Sequence, residues 1–399
     1  MKYLTGYLTA LIIGAITWTL GQLASKYSAL VDMIYPYVTR TIQEGLAQWS
    51  SDVGFCLWQV FLLLIVLGVV AALVVIITMN WRPIRLGGWV LAGFSLLLLL
   101  NTLLLGLNSH AGGVADDIRM DVYNYTVDEL ADATIYYRDK ANALAVQMER
   151  NNKGDLVFSD FETLANQAGQ GFDALVQNRS FSIFGGSTLP VKKLGWSGIY
   201  NAFGVTGMTV GLTGEAAVNP KIPAVSQPFT MCREMAHRMC ILAEGDSEFA
   251  AFLAASANES LEFQYSAYYM AYRYCYDALS NAKSNQAATA AKEIDKGVCE
   301  ELRNDLEAYK GFFRKHVNEK ATLLAETAND TYRKISGNTD SDTAVSDLLV
   351  SWHYQELVLP TITEEEVEFD PKDETQVDLT TTQIPVETEP PTEEATERE

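Results

Sequence analysis

Three long apolar runs dictate what the first hundred residues of this chain can become. They cover about residues 3–23, 55–79 and 86–107. Each reaches the roughly 20 residues needed to cross the hydrocarbon core of a bilayer. The first has no charge between Lys2 and Lys26, and the second contains Phe61-Leu-Leu-Leu-Ile-Val-Leu-Gly-Val-Val70. Inside lipid every backbone polar group must be bonded within the protein, so such runs are expected as helices. A cleaved signal peptide is the competing reading of the first run, but Leu23-Ala24-Ser25 makes a poor small-x-small cleavage site. Buried core helices compete for the other two, against their length and hydrophobicity.

The segment joining the second and third runs is Asn80-Trp81-Arg82-Pro83-Ile84-Arg85, with two Arg and no acid. The positive-inside rule assigns it to the cytoplasm. Alternation then places the N-terminus inside, and a loop at 24–54 and everything after Leu107 outside. Trp81 and Trp89 suit the bilayer interface. The expected location is a membrane, crossed several times, with the lipid bilayer as first partner. The spans hold no central acid or base of the kind that marks an ion path, which disfavours a transport or channel subunit.

The formal net charge is −21, and residues 361–399 alone hold fourteen acids and two bases. That tail is rich in Pro, Thr and Glu and poor in aromatics, so disorder is expected. The rest is mildly acidic without a basic stripe, so a nucleic-acid partner is not expected. Cys232 and Cys240, eight apart on one expected helix, are about 12 Å apart along its axis, too far to bridge. Cys275 and Cys299 are read either as a disulfide or as two small buried residues.

Beyond the spans the pattern is helical, at about 127–150 and 160–176. Residues 181–225 are rich in Gly, Thr, Ser, Pro and β-branched residues and read as short strands and loops. Within them, 207–219 is a candidate extended edge beside a cleft. Further helices are expected at about 230–242, 247–257, 262–282, 287–336 and 341–354. The expected fold is mostly α: three transmembrane helices (1–110), an α-rich extracytoplasmic domain with a small β element (111–360) and the acidic tail (361–399).

The chemistry-bearing string is Cys232-Arg233-Glu234-Met235-Ala236-His237. A zinc-protease helix reads H-E-x-x-H: two His one turn apart hold the metal and the Glu activates a water. Glu234 and His237 are in register, but the first His is Arg233, and a guanidinium has no lone pair for a metal. Cys232 lies about 100° around the helix from position 233 and is a poor substitute.

Several linked segments in order make the chain resemble a family of bacterial membrane proteins, domain of unknown function 3810, over roughly residues 5–355. They are Gly106-Leu107-Asn108 after the third span, the stretch from Ser197 to Thr213, and Thr213-Gly-Glu-Ala-Ala-Val-Asn219. Next come Pro223 and Pro228-Phe229-Thr230, Phe263-Gln-Tyr-Ser-Ala-Tyr268, and Asn329-Asp-Thr-Tyr332. The family's helix reads C-H-E-x-A-H followed by E-x-E-A-N-F, which implies a gluzincin-like zinc metallopeptidase. The resemblance implies Glu234 as general base, with His237 and Glu244 as zinc ligands. Asp246 matches the second acid, and is a candidate substitute ligand if the chain curls back after Ala243. Glu248 stands where the family has Asn, and Arg233 where it has His. Glu215 and Asn219 are read as cleft residues or as turn stabilisers, and Tyr265 as the tyrosine nearest the site.

Two functional expectations follow. In the first, Arg233 takes the place of the zinc and neutralises Glu244 and Glu234, leaving a pseudopeptidase that binds a peptide or envelope protein. In the second, a substitute ligand restores an active zinc metallopeptidase. The plainest alternative makes Glu234 and His237 ordinary surface and core residues.

Overall fold

The computed structural model describes residues 4–79, 83–336 and 344–358. The expected disordered tail at 361–399, and residues 80–82 of the loop expected inside, lie outside them. The apolar runs form α1 (Thr5–Lys26), α3 (Leu57–Met79) and α4 (Pro83–Leu104), each long and apolar enough to cross a membrane. α1 packs on α4 at a small-residue crossing, where a Cβ on Gly6 would lie 2.5 Å from the backbone of Gly88. Between α1 and α3 the expected loop at 24–54 is instead a 24-residue helix, α2 (Ser28–Ser51).

The remaining helices are α5 (Val114–Ile118), α6 (Val127–Ala145), α7 (Phe161–Arg179), α8 (Ser197–Ala202), α9 (Gln227–Arg238), α10 (Glu244–Ser256), α11 (Leu261–Asn281), α12 (Asn285–Lys296), α13 (Glu300–His316), α14 (Glu319–Ser336) and α15 (Val345–His353). Local chemistry sets several starts. Thr126 and Glu129 form a reciprocal capping box on α6, and Asp160 accepts from the Glu162 and Thr163 amides at the start of α7.

α10 is the centre of the core. Phe249 to Ala255 are all buried, with α7, α9, α11 and α15 packed around them. A helix buried on every side must be apolar all round, as this one is from Phe249 to Ala255. Of the α11 tyrosines, Tyr265, Tyr269 and Tyr272 are buried; the others are half-buried, Tyr268 against Tyr136 and Tyr137 of α6 and Tyr274 against Phe229 of α9.

The expected long helix at 287–336 is three helices. At the first break Gly297 ends α12, and α6 supplies the missing partners: Asn142 bonds Gly297 O (2.8 Å) and the Cys299 amide (2.9 Å), and Arg138 reaches Ile294 O (3.1 Å). At the second, the Asn318 side chain caps α14 through the amides of Lys320 and Ala321. Cys275 and Cys299 are free thiols, as are the other three cysteines.

The β element is a three-stranded sheet in the order β1 (Lys192–Lys193), β3 (Glu215–Val218), β2 (Gly207–Val210). β1 runs parallel to β3, and β2 antiparallel with Gly207 opposite Val218 and Val210 opposite Glu215. β3 is wholly buried and β2 is an outer strand. The turn between them ends at Gly214, whose φ of 64° suits glycine and whose missing Cβ would sit 2.5 Å from the Ala47 amide of α2.

Candidate functional site

α9 opens with Pro228 in its first turn, where a missing N–H costs nothing. It stops at Arg238 because Cys240 takes a left-handed conformation, φ 71°. There the Cys240 amide bonds His237 O and the Ile241 amide bonds Ala236 O, which turns the chain towards α10. Arg233 and His237, one turn apart, face a cavity of about 470 Å³ beside Glu234. Glu244, the first residue of α10, joins its lining, as do Gly207 to Thr209 of β2. The opposite wall comes from Asn101 and Gly106 at the end of α4 and from Asn329 and Tyr332 of α14.

Glu234 is buried at 1 % exposure, and both its carboxylate oxygens are engaged. Oε1 accepts from Arg233 Nη2 at 2.9 Å, and Oε2 accepts from Thr209 Oγ1 at 2.9 Å. Arg233 Nη2 also donates to Thr206 Oγ1 at 3.1 Å. Burial works against the Arg233 charge, but the carboxylates of Glu234 and Glu244 outweigh it, so the guanidinium is held protonated more firmly than usual. Its Nε is buried without a partner among the described residues. β2 can lie this close to α9 only because residue 207 is glycine: a Cβ there would fall 2.5 Å from Glu234 Oε1.

His237 Nδ1 lies 2.9 Å from Ile241 O. A carbonyl only accepts, so Nδ1 carries the proton, and in the neutral ring the lone pair is on Nε2. Behind Arg233, Glu248 accepts from Tyr274 Oη at 2.6 Å. Burial raises the Glu248 carboxyl above its ordinary range, while the Tyr274 bond and Arg233 pull it back. Burial, then the neighbouring Glu248, lifts the Tyr274 phenol well above its usual value.

Four of the expected site residues, Arg233, Glu234, His237 and Glu244, therefore share one cavity, and Glu248 backs it. Four others lie elsewhere. Glu215 accepts the amides of Leu57 (2.8 Å) and Trp58 (3.0 Å) at the start of α3 and pairs with Lys192 at 2.7 Å. Asn219 bonds Asn201 (2.5 Å) and accepts the Lys221 amide, so it holds a turn. Asp246 accepts the Val114 amide at 2.8 Å and borders a different, small pocket. Tyr265 is buried and donates to Asp305, which is held by Arg150. Sequence reasoning missed Thr206 and Tyr274, while Thr209 falls in the 207–219 stretch expected as an edge beside a cleft. Asn329 and Tyr332 stand in a segment already singled out, but nothing in it marked them as cavity residues.

A tetrahedral zinc site needs donors from three side chains and an open position. Here the donors are His237 and Glu244, Glu234 is held by Arg233 and Thr209, and the fourth group is a guanidinium. Among the described residues no three His, Cys, Asp or Glu side chains converge on one point. This donor set does not fit zinc. What it can do is offer a fixed cation, an imidazole and a strand edge to something entering the cavity.

A family model described as "Protein of unknown function (DUF3810)" matches residues 31–349, most of the chain. No curated protein and no solved structure matches it.

Proposed function

From the premise that this chain belongs to the DUF3810 family, we propose that it is a membrane-anchored, peptide-binding protein of the bacterial cell envelope, built on a zinc-peptidase-like scaffold. In this reading Arg233 replaces the first metal ligand and its charge replaces that of the ion. The domain after α4 is extracytoplasmic, following the two Arg of the 80–85 loop. The contact that carries the reading is Arg233 Nη2 to Glu234 Oε1 at 2.9 Å, one turn before His237.

Chemistry supports binding over hydrolysis. A general base must reach a water and take its proton, and Glu234 is buried, with its carboxylate held by Arg233 and Thr209. No bound metal is available from this donor set to polarise a carbonyl. The competing reading, an active peptidase with a substitute ligand, draws no support from Asp246, which is bonded to the Val114 amide. The outer strand β2 borders the cavity, so an extended segment can add to it as a further strand, with main-chain bonds for affinity.

The test uses the full-length protein in nanodiscs, incubated with a random peptide library. Retained and released peptides are read by mass spectrometry. The expected result is peptides retained intact, and lost when Thr209→Pro spoils the strand edge. New peptide termini would reveal an active hydrolase, and no retention at all would contradict the binding role.

A further inference from the structure

α2 is an amphipathic helix turned the wrong way round for a soluble protein. Its polar side is bonded to the rest of the chain. Asp32 Oδ1 accepts the Gly112 amide at 2.8 Å, and Thr39 Oγ1 donates to Asn108 Oδ1 at 2.9 Å. Gln43 Nε2 donates to Leu104 O and Gly211 O, both at 3.0 Å. Ser50 O accepts from Lys192 Nζ at 2.6 Å. Positions 32, 39, 43 and 50 fall on one stripe of a 3.6-residue helix. The opposite stripe is apolar and open: Leu30, Ile34, Tyr37, Val38 and Ile42 are 39–64 % exposed.

The connectivity says where that stripe points. α1 ends at Lys26 and α3 begins at Leu57. If each crosses the bilayer, residues 27–56 lie wholly on one side, and so does the end of α4. α2 is about 36 Å long and bonds the domain on that side from Asp32 to Ser50, so it lies along the membrane surface rather than across it. The domain covers its polar face, and the opposite face looks at the lipid.

We propose that the Leu30–Ile42 stretch of α2 is an in-plane membrane helix, with its apolar stripe sunk into the boundary between headgroups and acyl chains. The occupant of the stripe is lipid because the stripe continues the lipid-facing belt. One residue, Tyr27, separates α2 from α1, and no residue in the hydrophobic window of α3 is buried by protein. Interfacial helices of this type bury their apolar face about 5–10 Å deep. Towards the C-terminal end the exposed Glu44 and Gln48 break the stripe, so that end rises into water. Because Gln43 holds the β2–β3 turn and Arg40 reaches Met239 O just past α9, the same helix fixes the cavity at the bilayer surface. The inference rests on the three spans and not on what the cavity binds.

The experiment is spin-label accessibility on the full chain in phosphatidylethanolamine–phosphatidylglycerol nanodiscs. Cys299→Ser removes the one half-exposed thiol, and the other four are buried. Single labels are placed at Ile34, Val38, Gln48 and, as a water-exposed reference, Thr289. All four side chains are exposed among the described residues, Ile34 at 49 % and Val38 at 51 %. The expected result is several-fold more collision with oxygen than with a water-soluble nickel chelate at Ile34 and Val38, reversed at Gln48 and Thr289. Labels at Ile34 and Val38 as open to the chelate as Thr289 would overturn the proposal. So would spin–spin broadening at Ile34 that vanishes on dilution with unlabelled chain, which would mean a second copy covers the stripe.

Discussion

At position 233 a guanidinium stands one turn before an imidazole, and the neighbouring carboxylate is consumed in holding it. Removing the guanidinium leaves the buried Glu234 charge without its cation. Breaking a buried pair from one side costs roughly 3–5 kcal/mol, and Arg233→Ala is expected at the lower end because the arginine keeps 20 % of its side chain exposed. Thermal melts of the full-length protein in detergent check this, and Arg233→Met with Glu234→Gln should recover most of the loss. Glu248 gives a pH prediction. Burial raises its carboxyl in the folded state, so the fold favours its protonated form. That contribution is complete below the ordinary carboxylate range and is lost as pH rises through the raised value. Glu248→Gln keeps a partner for Tyr274 and should stabilise the protein at neutral pH, with the gain shrinking in melts at lower pH. The residues of α9 were legible because helical spacing alone puts 233 and 237 on one face. Thr206 and Tyr332 were not, because they reach the cavity from other elements across loops whose path no local pattern sets.

The membrane-length helices were read from composition to within about three residues at each end, since a bilayer admits little else. α2 was not, because Pro36 falls within it and Asp32, Arg40 and Glu44 interrupt its apolar residues, although Leu30, Ile34, Val38 and Ile42 keep strict helical spacing. The break after α12 was also missed: Gly297 alone does not end a helix, but Arg138 and Asn142 of α6, distant in sequence, take up the freed backbone groups. Glu215 is the clearest case of a residue whose role belongs to an element. It was read as a cleft or turn group, and it ties β3 to the start of α3 and to Lys192. Glu215→Ala strands two amides and a mostly buried ammonium, so a loss of roughly 3–5 kcal/mol is expected, read as an earlier midpoint on denaturant titration in detergent. Gly207→Ala would press β2 against Glu234 Oε1. Overpacking of this kind costs about 1–3 kcal/mol, and peptide retention should fall with the displaced strand.

The whole molecule is more continuous than a boundary at residue 110 suggests. Arg40 reaches Met239 O, Gln43 reaches Gly211 O and Tyr332 accepts from Asn101. The cavity is walled by both parts, so work on the site calls for the full chain. The same continuity brings a cation, an imidazole and a strand edge together where the two parts meet. The central claim is that Arg233 does the work of a lost metal, and zinc content tests it most directly. Full-length wild type and Arg233→His are purified side by side in detergent, loaded with zinc, desalted and measured by elemental analysis. The account predicts no zinc in the wild type and one per chain in the variant. One zinc per wild-type chain, or none in an Arg233→His protein that melts normally, would contradict it.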